Sequence, residues 1–442
     1  LNMKGVSSFY KPGIVDVKAL LAGNDVLLFS EDVSMAISEI KKAIDNKQIS
    51  VEEIERRCLK ILVAKEWAGL SDNSQVQMEN LTQDLNKKEY EILNKELFQK
   101  ALTVLRNENN LIPSKGLDTM KIASLAIGDG DSYIFQNSLS LYSDVTHFNA
   151  KNVTDDNIVS WEETLKDFNT VIVSFHNSDK NPWKSYKISS KAKQLVGKVN
   201  NAVDRVVVVD FMNPYSLIGF DAIEKVGGLV AAYQNNKYTN LAAAELIFGG
   251  IGANGKLPVS VSDQYVEGTG IDVEPLGRFT YVASEEVGIP ENDLYRIDSI
   301  ALSGVQEGAY PGCQVFVAKD GKVIYNKSFG YHTYDSIIEV KNTDIYDLAS
   351  ITKVASTLLT VMQLQDKGQF SLDLNLCDYL TDLIPDTSDY GNLNLKEILA
   401  HQSGLQAWVP FYLKTIRNKE LDPVIYSSDS SNFYPYRVAK YI

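Results

Sequence analysis

Residues that bind metals or form disulfides are scarce in this sequence. Its 442 residues include three cysteines, an odd number spread far apart, so a disulfide framework is not expected and we predict three buried free thiols. They are Cys58, Cys313 and Cys377. The four histidines lie in separate segments without the spacing of a metal site. We predict no metal and no cofactor.

Basic charge and long apolar runs are also missing. Acidic residues outnumber basic ones by 57 to 43, which gives a net charge of −14. Such a chain repels nucleic acids and anionic membrane surfaces, so we expect no nucleic-acid partner. The longest apolar runs, such as residues 206–209, are far shorter than the ~20 residues that span a bilayer. We predict no membrane span, and an export signal upstream of this sequence is left open.

What is present is the composition of a folded protein. Hydrophobic residues make up 44% and charged residues 23%, and the length corresponds to two to four domains. The first segment alternates a short helix, an apolar strand NDVLLF at residues 24–29, and two further helices. Ser50 and Glu53 form a capping box at the start of the last helix, and Gly69 ends it. This order is typical of the end of a (β/α)8 barrel.

A polar linker near residues 71–86 and a helix at 88–102 lead to a second segment. There, apolar strands alternate with helical stretches, as in βαβ units with a mostly parallel sheet. We expect the strands at residues 121–127, 170–175, 205–211 and 227–233. A loop rich in Gly, Glu and Pro at residues 264–292 ends this α/β sandwich.

A third segment begins with a helix at residues 293–308. It continues as CQVFVAKDGKVIYNKSFG, in which Asp320-Gly321 stands between alternating apolar residues and predicts a β-hairpin. The remaining chain to Ile442 is rich in predicted helix.

Two glycine-containing turns resemble nucleotide-binding loops. The turn GIGANGK has Leu257 where a phosphate loop needs Ser or Thr, so we predict a plain turn there. The turn IGDGDS lacks a third glycine and any helical pattern directly after it, which favours a strand-end loop over a cofactor site.

The sequence DLASITKV contains the candidate catalytic pair, Ser350 and Lys353. Apolar residues recur at helical spacing after Ser350 and Gly368 supplies a stop, so a helix is predicted to begin near Ser350. Lys353 then lies one turn away on the same face, within reach of the hydroxyl. The alternative is a helix cap with a solvated lysine, because the same tetrapeptide spacing occurs at three other places. These are Ser8/Lys11, Ser38/Lys41 and Ser190/Lys193.

Residues 294–408 resemble the serine β-lactamase and penicillin-binding-protein superfamily, in its class C and esterase-like branch. The matching pieces are the hairpin, IYDLASITKVASTLLTVMQLQDKGQFSLD and LKEILAHQSGLQAW. The resemblance implies that Ser350 is the acylated nucleophile, that Lys353 transfers its proton, and that His401 is structural. The family's Tyr-x-Asn and Lys-Thr-Gly elements are not found; YSSDSSNFY at residues 426–434 has the wrong spacing. We expect the chain to stop before them.

Residues 1–287 resemble family 3 glycoside hydrolases of the β-N-acetylhexosaminidase branch. The resemblance lies in LNMKGV, AGNDVLLFSEDV, FMNPYSL and FGGIGANGKLPVSVS. It implies that the glycosidase nucleophile and acid/base precede Leu1, so no glycosidase catalytic residue is assigned.

The sequence therefore predicts a multidomain α/β protein with three parts. Residues 1–75 are the end of a (β/α)8 barrel, 76–287 an α/β sandwich, and 288–442 a partial β-lactamase-like α+β domain. We expect a fused hydrolase that is truncated at both ends and acts on small-molecule or glycan (peptidoglycan) substrates in the periplasm or outside the cell. An esterase, a D-amino-acid peptidase and a non-catalytic scaffold remain alternatives.

Overall fold

The computed structural model describes residues 1–72, 78–177 and 187–406, and isolated positions beyond them. These are residues 408, 410, 413, 416, 417, 420, 421 and 427. The predicted domain boundary at residues 75 and 76, and the segment 426–434 apart from Ser427, lie outside the described residues. The chain forms two compact units, residues 1–340 and 341–442, and each is described by itself.

The first 72 residues are helical. The helices are α1 (Lys4–Ser7), α2 (Ile14–Leu21), α3 (Val33–Asp45) and α4 (Val51–Trp67). The predicted start of α4 is confirmed, because Ser50 Oγ accepts the backbone N–H of Glu53 at 3.1 Å. Gly69 follows the helix with a φ of 72°, a conformation that glycine adopts without strain.

Two expectations from the sequence are wrong. Residues 24–29 form no strand, and Val26, Leu28 and Phe29 are 60 to 70% exposed. A buried parallel strand needs a strand on each side, and the described residues 1–72 supply none. The three cysteines are free as expected, but they are not buried: Cys58 is exposed on α4 and the other two are half-buried.

A six-stranded sheet forms the centre of the first unit, and it confirms the predicted mostly parallel arrangement. Five strands are parallel, and the edge strand β1 pairs antiparallel with β6. The spatial order is β1-β6-β5-β4-β2-β3. The strands are β1 (Thr103–Asn107), β2 (Ile122–Ile127), β3 (Val145–Ala150), β4 (Thr170–Phe175), β5 (Arg205–Asp210) and β6 (Gly228–Ala231).

Helices cover both faces of this sheet. The helices of this part of the chain are α5 (Leu81–Leu85), α6 (Lys88–Ala101), α7 (Tyr133–Leu139), α8 (Asp155–Leu165), α9 (Ser190–Ala202) and α10 (Lys237–Phe248), and the last four pack on the sheet. One core packs α8 and α9 against one face, through residues such as Leu165 and Leu195. The other packs α7 and α10 against the opposite face, through residues such as Phe135 and Phe248. Burial on both faces explains why β2, β4 and β5 are almost continuously apolar.

The predicted hairpin is present in the same unit. Strands β8 (Gly312–Lys319) and β9 (Lys322–Gly330) pair antiparallel, and β7 (Thr280–Tyr281) pairs parallel with β9. The turn residues Asp320 and Gly321 have φ values of 53° and 73°, the positive pair that a type I′ turn requires. The helix α11 (Glu291–Gln306) packs on β9.

The second unit contains short helices and little buried apolar surface. Its elements are a 3-10 turn (Ala349–Ile351), a π-helix (Lys353–Leu358), α12 (Leu359–Asp366), α13 (Leu376–Tyr379), α14 (Leu395–Leu399), β10 (Ile416–Arg417) and β11 (Glu420–Leu421). Leu395, at 7% exposed, is the one large apolar side chain that is buried among those whose burial the structure describes after residue 340. No helix in the described ranges combines the length and the apolar character needed to cross a bilayer.

Candidate active site

The backbone makes a tight turn immediately before Ser350. Asp347 Oδ1 accepts the backbone N–H of Ala349 at 2.7 Å, and Ala349 itself has a φ of 44°. This left-handed conformation is unfavourable for a residue with a Cβ and is held here by the Asp347 turn. The chain then enters the 3-10 turn with Ser350 at its centre. The helix predicted near Ser350 is therefore present, but its first turns are 3-10 and π-helical.

Ser350 and Lys353 lie side by side. Lys353 Nζ donates a hydrogen bond to Ser350 Oγ at 2.8 Å, and both side chains are exposed. The 3-10 turn ends at Ile351 and Lys353 begins the π-helix, so the two groups meet across the junction of these two turns. The hydroxyl is open to an incoming carbonyl compound and has an amine within proton-transfer distance.

Another copy of the tetrapeptide, Ser190 to Lys193, shows that spacing alone does not create this pair. Lys193, three residues after Ser190, donates instead to the carbonyl oxygens of Ile218 and Gly219 at 2.7 and 3.0 Å. The two carbonyls satisfy that amine on the surface of the sandwich. The catalytic roles of Ser350 and Lys353 stay predictions, and the contact supplies the geometry they require.

The segments that follow Ser350 are joined by backbone hydrogen bonds. Leu376 N donates to Leu393 O at 2.9 Å and Leu395 N donates to Leu374 O at 3.1 Å, which holds α13 beside α14. His401 follows α14 with a φ of 57°, and its backbone N–H bonds Ile398 O at 3.1 Å. Its backbone thus takes part in a turn, and its side chain is exposed.

The carboxyl edge of the sandwich sheet carries buried polar groups that the sequence did not single out. Asp210 ends β5 with 0% exposure, accepts Ser216 Oγ at 2.5 Å and Met212 N at 3.2 Å, and burial raises its pKa to about 7. His176, which follows β4, is 1% exposed, and burial lowers its pKa to about 4. The signal that could have found both is a polar residue directly after an apolar strand.

A second buried group links the sandwich to the hairpin. Glu245 on α10 is 0% exposed, accepts Tyr281 N at 2.8 Å, and has its pKa raised to about 7 by burial. Lys95 on α6 forms an ion pair with Glu286 at 3.1 Å, with side-chain exposures of 8% and 14%. These contacts fasten residues 281–286 to two helices, so the role of this cluster is structural.

The glycine turn after β2 differs in one respect from what the sequence predicted. IGDGDS is a strand-end loop as predicted, but α7 follows it directly, at Tyr133. The helix was missed because its seven residues are too few to show a period, and tertiary packing of Phe135 and Leu139 stabilises it. Within the described ranges, no group of three His, Cys, Asp or Glu side chains is placed to hold a metal ion.

The C-terminal part of the chain is similar in sequence to known proteins. Residues 297–423 match the beta-lactamase family model. Over 115 residues, the chain is 34% identical to "Protein flp" of Staphylococcus aureus (strain NCTC 8325 / PS 47), a match covering 25% of this chain and 22% of that protein. A "Putative D-alanyl-D-alanine carboxypeptidase" of Salmonella agona (strain SL483) is 29% identical over 156 residues, covering 32% of this chain and 35% of that protein. The predicted resemblance of this segment is confirmed.

The chain spans about a fifth to a third of the length of these curated relatives. Among solved structures, it is similar to a glycoside hydrolase family 3 beta-N-acetylglucosaminidase from Paenibacillus sp. str. FPU-7. The TM-score is 0.42 with 22% sequence identity, covering 59% of this chain and 50% of that one.

Proposed function

We propose that this chain is part of a fused hydrolase whose C-terminal module, residues 288–442, cleaves acyl substrates through an ester formed at Ser350. The observation that carries the proposal is the 2.8 Å contact between Lys353 Nζ and an exposed Ser350 Oγ. The match of residues 297–423 to the beta-lactamase family model supports the same residues in these roles.

The chemistry follows from the two groups. Ser350 Oγ attacks the substrate carbonyl while Lys353, as the free amine, takes the hydroxyl proton. The proton then passes to the leaving group as the carbonyl re-forms, which leaves an acyl ester on Ser350. Water attacks this ester, the acid product leaves, and the serine hydroxyl is restored. Backbone N–H groups at the start of the helix are suited to stabilise the oxyanion.

The exposed pair of Ser350 and Lys353 can be covered by a bound substrate. A lysine amine loses its proton near neutral pH only when it is desolvated or lies close to other positive charge. The side chain is exposed in this structure, so we propose that a bound substrate covers the pair and provides the desolvation. This predicts better turnover for substrates with bulky apolar groups next to the scissile carbonyl.

The substrate class is proposed from the relatives. One relative is named as a putative D-alanyl-D-alanine carboxypeptidase, so we propose peptides ending in D-amino acids ahead of simple esters and β-lactams. Ester cleavage remains the second candidate, because an exposed hydroxyl does not by itself select an amide.

For residues 1–287 we propose a family 3 glycoside hydrolase module, with residues 1–75 from its barrel and 76–287 as its sandwich. The support is the set of sequence motifs from LNMKGV to FGGIGANGKLPVSVS. The bond cleaved would be the O-glycosyl bond of a β-N-acetylhexosaminide, and no residue of this sequence is assigned to that step. Both modules together fit the turnover of a peptide-bearing cell-wall glycan in the periplasm or outside the cell.

The serine module is tested on the full-length protein with three substrates: a peptide ending in D-alanyl-D-alanine, p-nitrophenyl butyrate and nitrocefin. We expect Ser350→Ala to abolish peptide cleavage, by at least on the order of 10³-fold in kcat/KM, and Lys353→Met to cost on the order of 10² to 10⁴-fold. The control variant Ser356→Ala changes an exposed serine on the next turn and should keep full activity. Equal activity in Ser350→Ala and wild type would refute the assignment and favour a binding or scaffold role.

The glycosidase module is tested separately. We expect the full-length protein to release p-nitrophenol from p-nitrophenyl N-acetyl-β-D-glucosaminide, and Ser350→Ala to leave this rate unchanged. If the protein cleaves neither this glucosaminide nor the corresponding galactosaminide, the glycosidase proposal is contradicted. That result would leave the assignment of Ser350 as nucleophile unaffected.

A further inference from the structure

The residue before Ser350 has an unfavourable backbone conformation. Ala349 has a φ of 44°, in the left-handed region, where the Cβ of an L-residue lies too close to the following carbonyl oxygen. Glycine adopts this conformation without that cost, and alanine does not. Non-glycine residues in such conformations persist only where neighbouring contacts hold them, and they cluster at functional sites. Ala349 therefore needs a contact that holds it, and its place beside Ser350 points to a function.

Two local hydrogen bonds form the turn that contains Ala349. The side chain of Asp347 accepts the backbone N–H of Ala349 at 2.7 Å, through Oδ1, as in an Asx-turn. Ile351 N also donates to Leu348 O at 2.9 Å, which closes a four-residue turn. Ala349 is the second residue of that turn, where a positive φ favours glycine. The Asp347 carboxylate therefore holds the chain in a turn for which alanine has no preference of its own.

Side-chain packing contributes little to this turn. Leu348 is 52% exposed and Ile351 is 59% exposed, and Asp347 and Ala349 are exposed as well. Where little apolar surface is buried, a segment opens and closes at a low cost in free energy. The turn is then one of several accessible backbone conformations, and its population depends on the hydrogen bond from Ala349 N to Asp347.

The turn fixes the direction of the serine side chain. Ser350 is the third residue of the turn, so the bond from Ile351 N to Leu348 O closes over it and restrains its φ and ψ. The side-chain direction follows from the backbone, and in this structure it brings Ser350 Oγ to 2.8 Å from Lys353 Nζ. If Ala349 moved to a negative φ, the chain entering Ser350 would change direction and this restraint would be lost.

We propose that Asp347 is a positioning residue of the serine module: by holding Ala349 in its left-handed conformation it keeps the Ser350 hydroxyl in contact with its base. This inference rests on the proposed role of Ser350 as nucleophile. Asp347 neither contacts the substrate nor transfers a proton in this role, and it acts through the backbone alone. Only molecules with the turn formed present the hydroxyl to Lys353, so the rate of acylation should follow the fraction of molecules in that state.

The test is the rate at which a fluorophosphonate probe labels Ser350 in the full-length protein, measured by mass spectrometry of the peptide that contains it. Asp347→Ala should slow this labelling by about tenfold, the factor expected for the loss of one hydrogen bond to a charged acceptor at an exposed site. Thermal melting followed by circular dichroism shows that each variant is folded, so a slower reaction is not mistaken for unfolding.

Two further variants show whether the turn is the cause. Asp347→Asn keeps an oxygen that accepts the Ala349 N–H but has no charge, and it should label within about threefold of the wild-type rate. The double variant Asp347→Ala with Ala349→Gly should return to within about threefold as well, because glycine takes a positive φ without the steric cost. If Asp347 acted through its charge on Lys353, neither change would restore the rate.

Asp131→Ala is the matched control. Asp131 Oδ1 accepts the backbone N–H of Tyr133 at 2.9 Å, the same two-residue spacing, in the sandwich. Its removal should leave the labelling of Ser350 unchanged. The proposal is overturned if Asp347→Ala labels as fast as wild type, or if either Asp347→Asn or the double variant is as slow as Asp347→Ala. If the wild-type protein forms no adduct on Ser350, the proposed function of the module fails and this inference fails with it.

Discussion

Replacing Asp210 by asparagine should change how the stability of the sandwich depends on pH. The carboxyl group lies at the end of β5 with 0% exposure, and burial raises its pKa from 3.8 to about 7. In the unfolded chain the group ionises near its ordinary value, whereas in the folded chain it keeps its proton to near neutral pH. Asparagine carries no charge at any pH and can still accept from Met212 N and donate to Ser216 Oγ.

The sign follows from which state binds the proton. Between about pH 4 and pH 7 the folded state holds a proton that the unfolded state has released, so wild-type stability falls as pH rises through this window. The two pKa values differ by about 3, and each pH unit is worth about 1.36 kcal/mol, so the full loss is on the order of 4 kcal/mol. The stability of Asp210→Asn relative to wild type should therefore increase by about 3 kcal/mol between pH 5 and pH 8.

The assay is amide hydrogen exchange of peptides that cover β5, read by mass spectrometry at pH 5, 6, 7 and 8 in both proteins. The comparison at each pH cancels the contribution of Glu245, which has the same raised pKa in both. A stability difference that stays constant with pH, or that shrinks toward pH 8, would refute the conclusion that Asp210 is held protonated by burial.

Two further predictions concern packing in the first unit. Lys95→Met leaves Glu286 and the neighbouring Glu245 without their buried cation and should lower the free energy of unfolding by about 3 kcal/mol in urea titrations. The double variant with Glu286→Gln should recover part of this loss. If the effects of the two substitutions on the free energy of unfolding simply add, the pairing is contradicted. Gly128→Ala should lower the melting temperature by several degrees, because its Cβ would lie 2.1 Å from the carbonyl oxygen of His176. Gly23→Ala is the control: Gly23 also has a positive φ (99°) but open space around it, so its melting temperature should fall less. Equal decreases in the two variants would show that φ alone matters.

Much of the sandwich and the hairpin could be predicted from the sequence, for a physical reason. The strands β2, β4 and β5 are buried on both faces, so their residues had to be apolar in one run. Asp320 and Gly321 belong to the small set of residues that tolerate two successive positive φ values. Where local chemistry decides the conformation, the sequence pattern was sufficient.

Elements that depend on distant partners were not predictable. Strand β3 lies at the sheet edge, and its sequence VTHFNA shows neither a continuous apolar run nor a strict alternation of apolar and polar residues. Residues 24–29 have the composition of a buried strand, yet no strand in the described part of the chain pairs with them. The raised pKa of Asp210 and the lowered pKa of His176 arise from burial by residues far away in sequence.

The contact between Ser350 and Lys353 could be predicted only in part from the sequence. The spacing Ser-x-x-Lys permitted the contact, and the resemblance of the surrounding residues selected it from four copies. The 3-10 and π-helical turns that bring Lys353 Nζ to the hydroxyl start at Ala349, which has a left-handed backbone conformation. No helical pattern in the sequence predicts that conformation.

Covalent trapping of the nucleophile tests the central claim most directly. The full-length protein is mixed with a fluorophosphonate probe, digested, and analysed by tandem mass spectrometry. We predict a single stoichiometric adduct on Ser350, formed much more slowly in Lys353→Met and absent in Ser350→Ala. Labelling of wild type and Ser350→Ala to the same extent, or no adduct on Ser350 in an active protein, would contradict the assignment of Ser350 as nucleophile.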